Sequence, residues 1–163
     1  MHKTTLFPGL AERMKKRRGG RDHIFEVLEA SRTALIVVDV QDFFCDPKTS
    51  GGQNTIDIVP ALNQLADRVR TSGGTVVWVI TTFTEETTRS WSTMFHEFCS
   101  PLVRERLLSG LGPGGWGHAL HSDLAVKPND LTVEKDRFSP FIGDASTLHA
   151  DLQAREIDTI VVA

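Results

Sequence analysis

Two charged residues stand where charge is costly. In "TALIVVDVQDFFC" (33–45), Asp39 follows an unbroken Ala-Leu-Ile-Val-Val run. Such a run reads as a strand buried on both faces, where an ionised carboxylate is expensive. Lys135 closes a second short run, "LTVEK" (131–135). An ammonium within ~4–6 Å of the carboxylate would favour its charged form and offset its desolvation. Such a pair can hold and pass a proton, as a hydrolytic reaction requires. The same two residues would also serve as a structural ion pair, and their spacing alone leaves both readings open.

Other residues could line a site around them. Gln41 and Phe44 flank Asp39, and Arg137 and Phe138 flank Lys135. Arg137 could pair with a substrate carboxylate. Trp91, Phe95 and Phe98 in "WSTMFHEF" form roughly one helical stripe. That stripe reads either as core or subunit packing, or, with Trp91, as an apolar wall over a substrate. His118 and His121 in "GHALH" have a spacing that can hold a metal on a helix. Their segment is rich in glycine and has no acid–histidine cluster nearby, so no metal site is expected. "GPGGWG" lacks both a preceding strand and the order of a phosphate cradle. Cys45 and Cys99 read as small apolar residues or incidental thiols.

The elements that must position these groups follow from the apolar pattern. Residues 33–39 make a first strand. In "TIDIVPALNQLADRVRTSGG", Ile58, Leu62, Leu65 and Val69 recur at helical spacing, and Gly73-Gly74 ends that helix. "TVVWVITTF" (75–83) is a second buried strand, β-branched through its core. "PLVRERLLSGL" reads as a short amphipathic helix, and the Gly- and Pro-rich stretch to residue 130 as a long excursion. After the third strand, "DASTLHADLQAREI" places Ala145, Leu148 and Leu152 on one helical face with Asp144 as N-cap. "DTIVVA" (158–163) is a fourth strand. Alternating strands and helices predict a three-layer α/β/α domain on a mainly parallel, Rossmann-like sheet. Ligands of such sheets bind outside the carboxyl ends of the strands. Asp39 and Lys135 are therefore expected at one edge.

Composition limits what the chain can be. Its 163 residues suit one domain, and 40% hydrophobic with 24% charged residues is globular usage. A net charge of −3 gives no general attraction to nucleic acid or anionic membrane. Two cysteines are too few for a disulfide scaffold and fit a reducing cytoplasm. No apolar stretch approaches the roughly 20 residues that cross a bilayer. Residues 1–32 are set apart as an N-terminal arm carrying the basic cluster "KKRRGGR" (15–21), with no apolar signal region behind it. Without aromatic residues to stack bases, the arm is expected on the surface or on a neighbouring subunit.

The surrounding letters resemble a known family. "LIVVDVQDFF" is similar to the Asp-x-Gln-x-x-Phe strand end of the isochorismatase-like hydrolases. "LTVEKDRFSPF" resembles their second signature, a strand ending in Lys followed by Ser-x-Phe, with Ser139-Pro140-Phe141 as the pocket-shaping loop. "LHADLQAREIDTIVVA" resembles the approach to the third, so the likeness spans residues 33–163.

The resemblance implies hydrolysis of an amide or carbamoyl C–N bond through a Cys-Lys-Asp triad, with Asp39 as general base and Lys135 holding the proton traffic poised. It implies no organic cofactor, a small-molecule substrate, and dimers or tetramers. The family's metal-binding branch, typified by nicotinamidases, carries an Asp-x-His motif that "DPKTSGGQNTID" (46–57) lacks. The family's cysteine follows the fourth strand, so these residues are expected to be a piece of a longer hydrolase, with the C-terminal part missing, and inactive alone. Vinyl-ether hydrolysis and a non-catalytic binding subunit remain as alternatives. Phosphoryl transfer of the haloacid-dehalogenase type would want a second acid at position 41, where Gln41 stands.

Overall fold

The computed structural model describes residues 7–48 and 52–163. The strands are β1 (Thr33–Val38), β2 (Thr75–Thr81), β3 (Leu131–Lys135) and β4 (Thr159–Val162). The helices are α1 (Leu10–Arg17), α2 (Asp42–Cys45), α3 (Gly52–Thr71), α4 (Glu85–Ser90), α5 (Pro101–Leu111) and α6 (Leu148–Ala154). All strand pairs are parallel, in the order β3-β2-β1-β4.

Alternation along the strands divides the core into two layers. Leu35, Val37, Val76 and Trp78 pack under Val59, Leu62 and Ala66 of α3. Ala34, Ile36, Val77, Val79 and Val133 pack under Leu148 and Leu152 of α6. Both faces of β1 and β2 are thus covered, which explains their unbroken apolar runs. A third cluster, built on Phe43, Phe83, Phe95 and Leu111, is fed by the segments that follow β1 and β2 and by α5. β4 forms one margin of this sheet, and Ile160 and Val162 are exposed on it.

The connections place a switch point beside β1. From β1 the chain steps through α3 to β2 and on to β3; it then returns past β1 to place β4 on the other side. Neighbouring strands reached by opposite crossovers leave a crevice at their carboxyl ends. Here that crevice lies between β1 and β4.

Several local readings are corrected. Of the stripe expected on α3, Leu62 is buried and Leu65 and Val69 pack against the core, while Ile58 is exposed and Val59 and Ala66 complete the inward face. The C-terminal stop holds: Gly73 has φ +87°, and its N–H and that of Gly74 return to Arg70 and Val69. α6 begins at Leu148, so Asp144 does not cap it. Ala145 is held in the preceding loop, its N–H bonded to Ile142, and the Ser146 hydroxyl accepts from the Leu148 N–H at 3.1 Å. The expected aromatic stripe is broken because Thr93–Phe98 winds as a π-helix, closed by Cys99 N–H to Met94 O at 3.0 Å. The wider turn buries Phe95 and turns Phe98 outward.

The described part of the N-terminal arm carries α1, none of whose residues is buried, and an exposed apolar stretch at Ile24, Phe25, Val27 and Leu28. Arg32 pairs with Asp158 at 2.7 Å where the arm enters β1. Among the described residues, no helix is long and apolar enough to cross a membrane.

Candidate active site

β1 ends at Val38, and the next residue turns out of the sheet. Asp39 has φ +60°, a left-handed conformation that aspartate tolerates better than most residues. Its N–H still bonds Val79 O at 2.9 Å, so the turn is pinned to β2. On the other side, Ala163 O accepts from the Val38 N–H and the Ala163 N–H donates to Ile36 O, both at 2.9 Å. Asp39 therefore opens at the switch point itself.

Lys135 reaches the same place from two strands away. It is in register with Thr81, the last residue of β2. Lys135 Nζ donates to Asp39 Oδ2 at 3.0 Å and to Thr81 Oγ1 at 2.5 Å. Thr81 Oγ1 in turn donates to Asp39 Oδ1 at 2.8 Å. The lysine side chain is only 3% exposed, whereas the Asp39 side chain keeps 28%. The cation is sealed inside and the carboxylate stays partly exposed. A buried ammonium with two fixed acceptors balances the acid's charge while leaving part of the acid accessible, as a proton acceptor needs.

Gln41 sits beside this group but does not line an opening. It is fully buried. Its Oε1 accepts from the Thr81 N–H at 2.7 Å, and its Nε2 donates to Thr81 O at 3.0 Å and His118 O at 2.7 Å. The amide thus stitches the end of β2 to the 112–130 loop, and its polar groups are spent on backbone.

The remaining expected residues fall into two places. Trp91, Arg137 and Phe138 gather: the Trp91 and Phe138 rings meet edge to face at 4.8 Å, and Arg137 Cζ lies 5.2 Å from the Trp91 ring centre. Arg137 also pairs with Asp136 at 2.9 Å and bonds Ser90 Oγ at 3.1 Å. Phe138 is strongly exposed. Phe44 instead packs on Phe43, with ring centres 5.2 Å apart, in the third apolar cluster.

The thiols and imidazoles are placed elsewhere in the fold. Cys45 is buried in the core under α3, and burial, with Asp42 adding to it, raises its thiol pKa. Such a thiol is a poor nucleophile. Cys99 ends the π-helix, partly covered. The segment holding His118 and His121 is not helical; His118 Nε2 is hydrogen-bonded to Thr82 Oγ1 at 2.7 Å. Among the described residues, no three His, Cys, Asp or Glu gather as a metal site would require.

Thr81 escaped the sequence reading. In "TVVWVITTF" a threonine satisfies β-propensity, so nothing in its letter marks it as polar machinery. Its place emerges only in the structure, where it closes β2, the strand lying between those that lead to Asp39 and Lys135.

Comparison with known proteins bears on family and fold. The isochorismatase domain family matches residues 33–163. The ureidoacrylate amidohydrolase RutB of Stutzerimonas stutzeri (strain A1501) is 31% identical over 158 residues, covering 82% of this chain and 58% of that protein. A cysteine hydrolase structure from Pseudomonas syringae pv. phaseolicola 1448A superposes with a TM-score of 0.63 at 25% identity, over 83% of this chain and 60% of the other. The N-carbamoylsarcosine amidase structure from Thermoplasma acidophilum shares the fold, with a TM-score of 0.59 at 22% identity, over 80% and 66% of the two chains. The chain thus spans 58% of the length of this curated ureidoacrylate amidohydrolase relative.

Proposed function

The chain belongs to the isochorismatase family, and from that membership we propose that the protein is a hydrolase of a C–N bond in a small amide or carbamoyl compound. The reading is carried by one observation: a sealed lysine and a half-open aspartate, 3.0 Å apart at the switch point of a parallel sheet. The similarity to a ureidoacrylate amidohydrolase supports the amide or ureido class.

In this reading Asp39 is the general base of a cysteine nucleophile supplied by residues beyond Ala163. β4 runs parallel to β1, and the Ala163 backbone is bonded to Ile36 and Val38, so a residue continuing that strand would emerge beside Asp39. Asp39 takes the thiol proton and the thiolate attacks the carbonyl carbon. The departing nitrogen takes the proton back as the C–N bond breaks, leaving a thioester that water hydrolyses. Lys135 balances the carboxylate's charge before Asp39 takes the proton and again after Asp39 gives it up. The Trp91–Arg137–Phe138 cluster supports a substrate bearing a carboxylate, which Arg137 would meet with its guanidinium fork.

The test uses the full-length protein with ureidoacrylate and N-carbamoylsarcosine as substrates. Asp39→Asn and Lys135→Ala are each expected to suppress turnover while the protein stays folded. Near-normal rates in either variant would end the assignment. A residue other than cysteine after β4 would instead favour a non-catalytic binding subunit, and would also admit vinyl-ether hydrolysis that uses the aspartate without a cysteine.

A further inference from the structure

The Asp39–Lys135 pair is not a simple contact, because a third side chain closes it into a ring. We infer that Thr81 is the positioning residue of this pair, its hydroxyl fixing the rotation of the Asp39 carboxylate. The inference rests on the reading of Asp39 as the proton acceptor.

The direction of each hydrogen bond follows from chemistry. An ammonium is donor only, so the 2.5 Å contact with Lys135 Nζ makes Thr81 Oγ1 the acceptor there. The hydroxyl's single proton is then free to point elsewhere, and Asp39 Oδ1 lies 2.8 Å away to receive it. Oδ2 takes its own proton from Lys135 at 3.0 Å. Each carboxylate oxygen is held by a different donor, so the group cannot rotate about its Cβ–Cγ bond without breaking one of them. A lysine alone would tether one oxygen and leave the other to swing.

Thr81 is itself immobile. Its side chain is buried and so does not meet a ligand; it acts through Asp39. Both of its backbone polar groups are claimed by the Gln41 amide, at 2.7 and 3.0 Å, and its place in β2 is paired with Lys135. Gln41 is sealed in turn and reaches His118 O. The order of support runs from Gln41 to Thr81 to the carboxylate. This explains why a fully polar amide occupies a site where the core would otherwise accept an apolar residue.

The competing explanation is packing: a β-branched residue fills the end of a buried strand. Two substitutions separate the two. Thr81→Val keeps the shape and removes the hydroxyl; Thr81→Ser keeps the hydroxyl and removes a methyl. In the full-length protein, Thr81→Val is expected to lower kcat about 10- to 100-fold, the scale of one hydrogen bond to a charged group, with KM little changed. Thr81→Ser is expected to stay within about threefold of wild type, since it keeps that bond. Crystal structures of both variants supply a readout independent of turnover. The Asp39 carboxylate should rotate or split into two orientations in Thr81→Val and hold its place in Thr81→Ser. A Thr81→Val protein with wild-type kcat and an unmoved carboxylate would overturn the inference while leaving Asp39 and Lys135 as assigned. If Asp39→Asn is also fully active, the broader reading fails instead, and the carboxylate's orientation still decides what Thr81 does.

Discussion

Lys135 Nζ meets Asp39 Oδ2 at 3.0 Å across 96 residues of chain, with the lysine sealed and the aspartate partly open. A pair so arranged is costly to break from one side, because the survivor is left as a poorly solvated charge. Lys135→Met is therefore expected to destabilise the full-length protein by about 3 kcal/mol. Adding Asp39→Asn removes the stranded charge and should restore more than half of that loss, a coupling that urea denaturation of the four proteins of the cycle would measure. Additive losses would show that the two charges do not support one another.

The Gln41 amide gives a second expectation, now for stability. Gln41→Leu keeps the volume but strands the Thr81 N–H, Thr81 O and His118 O that the amide now satisfies. Unsatisfied buried polar groups cost about 1–3 kcal/mol each, partly recovered by relaxation, so a loss of about 3 kcal/mol is expected. Gln41→Glu should fare no better, since a carboxylate cannot donate to the two carbonyls. Calorimetry of both variants tests this, and an unchanged Tm in Gln41→Leu would show that the clamp contributes nothing.

These two residues show what a sequence can disclose. Asp39 and Lys135 were legible because charge at the end of an apolar run is anomalous, and the parallel architecture brings strand ends to one edge. Gln41 also follows that run, but its letter does not say whether it faces a ligand or the backbone; only the position of the 112–130 loop decides it. Thr81 was silent because β-propensity accounts for it fully. The Phe98 error has another origin. A stripe counted at 3.6 residues per turn assumes an α-helix, and a π-helix spreads the same letters around a wider turn. Likewise Ile58 and Val59 are both apolar neighbours, and which one enters the core depends on how α3 is rotated against β1 and β2.

Arg137 offers a prediction about specificity. Its guanidinium is already oriented by stacking on Trp91 and by Asp136 and Ser90. Lysine cannot reproduce the planar fork or the stacking. Arg137→Lys should raise KM for a carboxylate-bearing substrate about 10-fold or more, the scale of a charge-assisted contact. kcat should change little, since such binding is shared by ground and transition states. The amide analogue of the same substrate should show no change in KM. An equal effect on both compounds would assign Arg137 to the architecture of the rim.

A carboxylate outside the site, on Asp130 with its side chain only 3% exposed, predicts how the fold responds to acid. The Asp130 carboxylate accepts from Arg70 Nε and Nη2 at 2.8 and 2.7 Å, from Trp78 Nε1 at 2.8 Å and from the Lys127 N–H at 2.8 Å. Burial by itself pushes this carboxyl up; the bonds from Arg70, Trp78 and Lys127 and the charge of Arg70 outweigh it and hold the group below the ordinary value of 3.8. With the folded value beneath the unfolded one, the unfolded chain binds the extra proton in the interval between them. The stabilisation is therefore complete above 3.8 and is lost as pH falls through the folded value. Asp130→Asn should cost about 3 kcal/mol at neutral pH, since it leaves the Arg70 guanidinium short of its charged partner. The gap between variant and wild type should then narrow as pH drops below 3.8, where wild type loses the same charge. Urea midpoints taken for both proteins across that range measure the narrowing. A gap that stays constant into strong acid would mean that Asp130 contributes through shape and neutral hydrogen bonds, and that its charge is irrelevant to holding the 112–130 loop against α3 and β2.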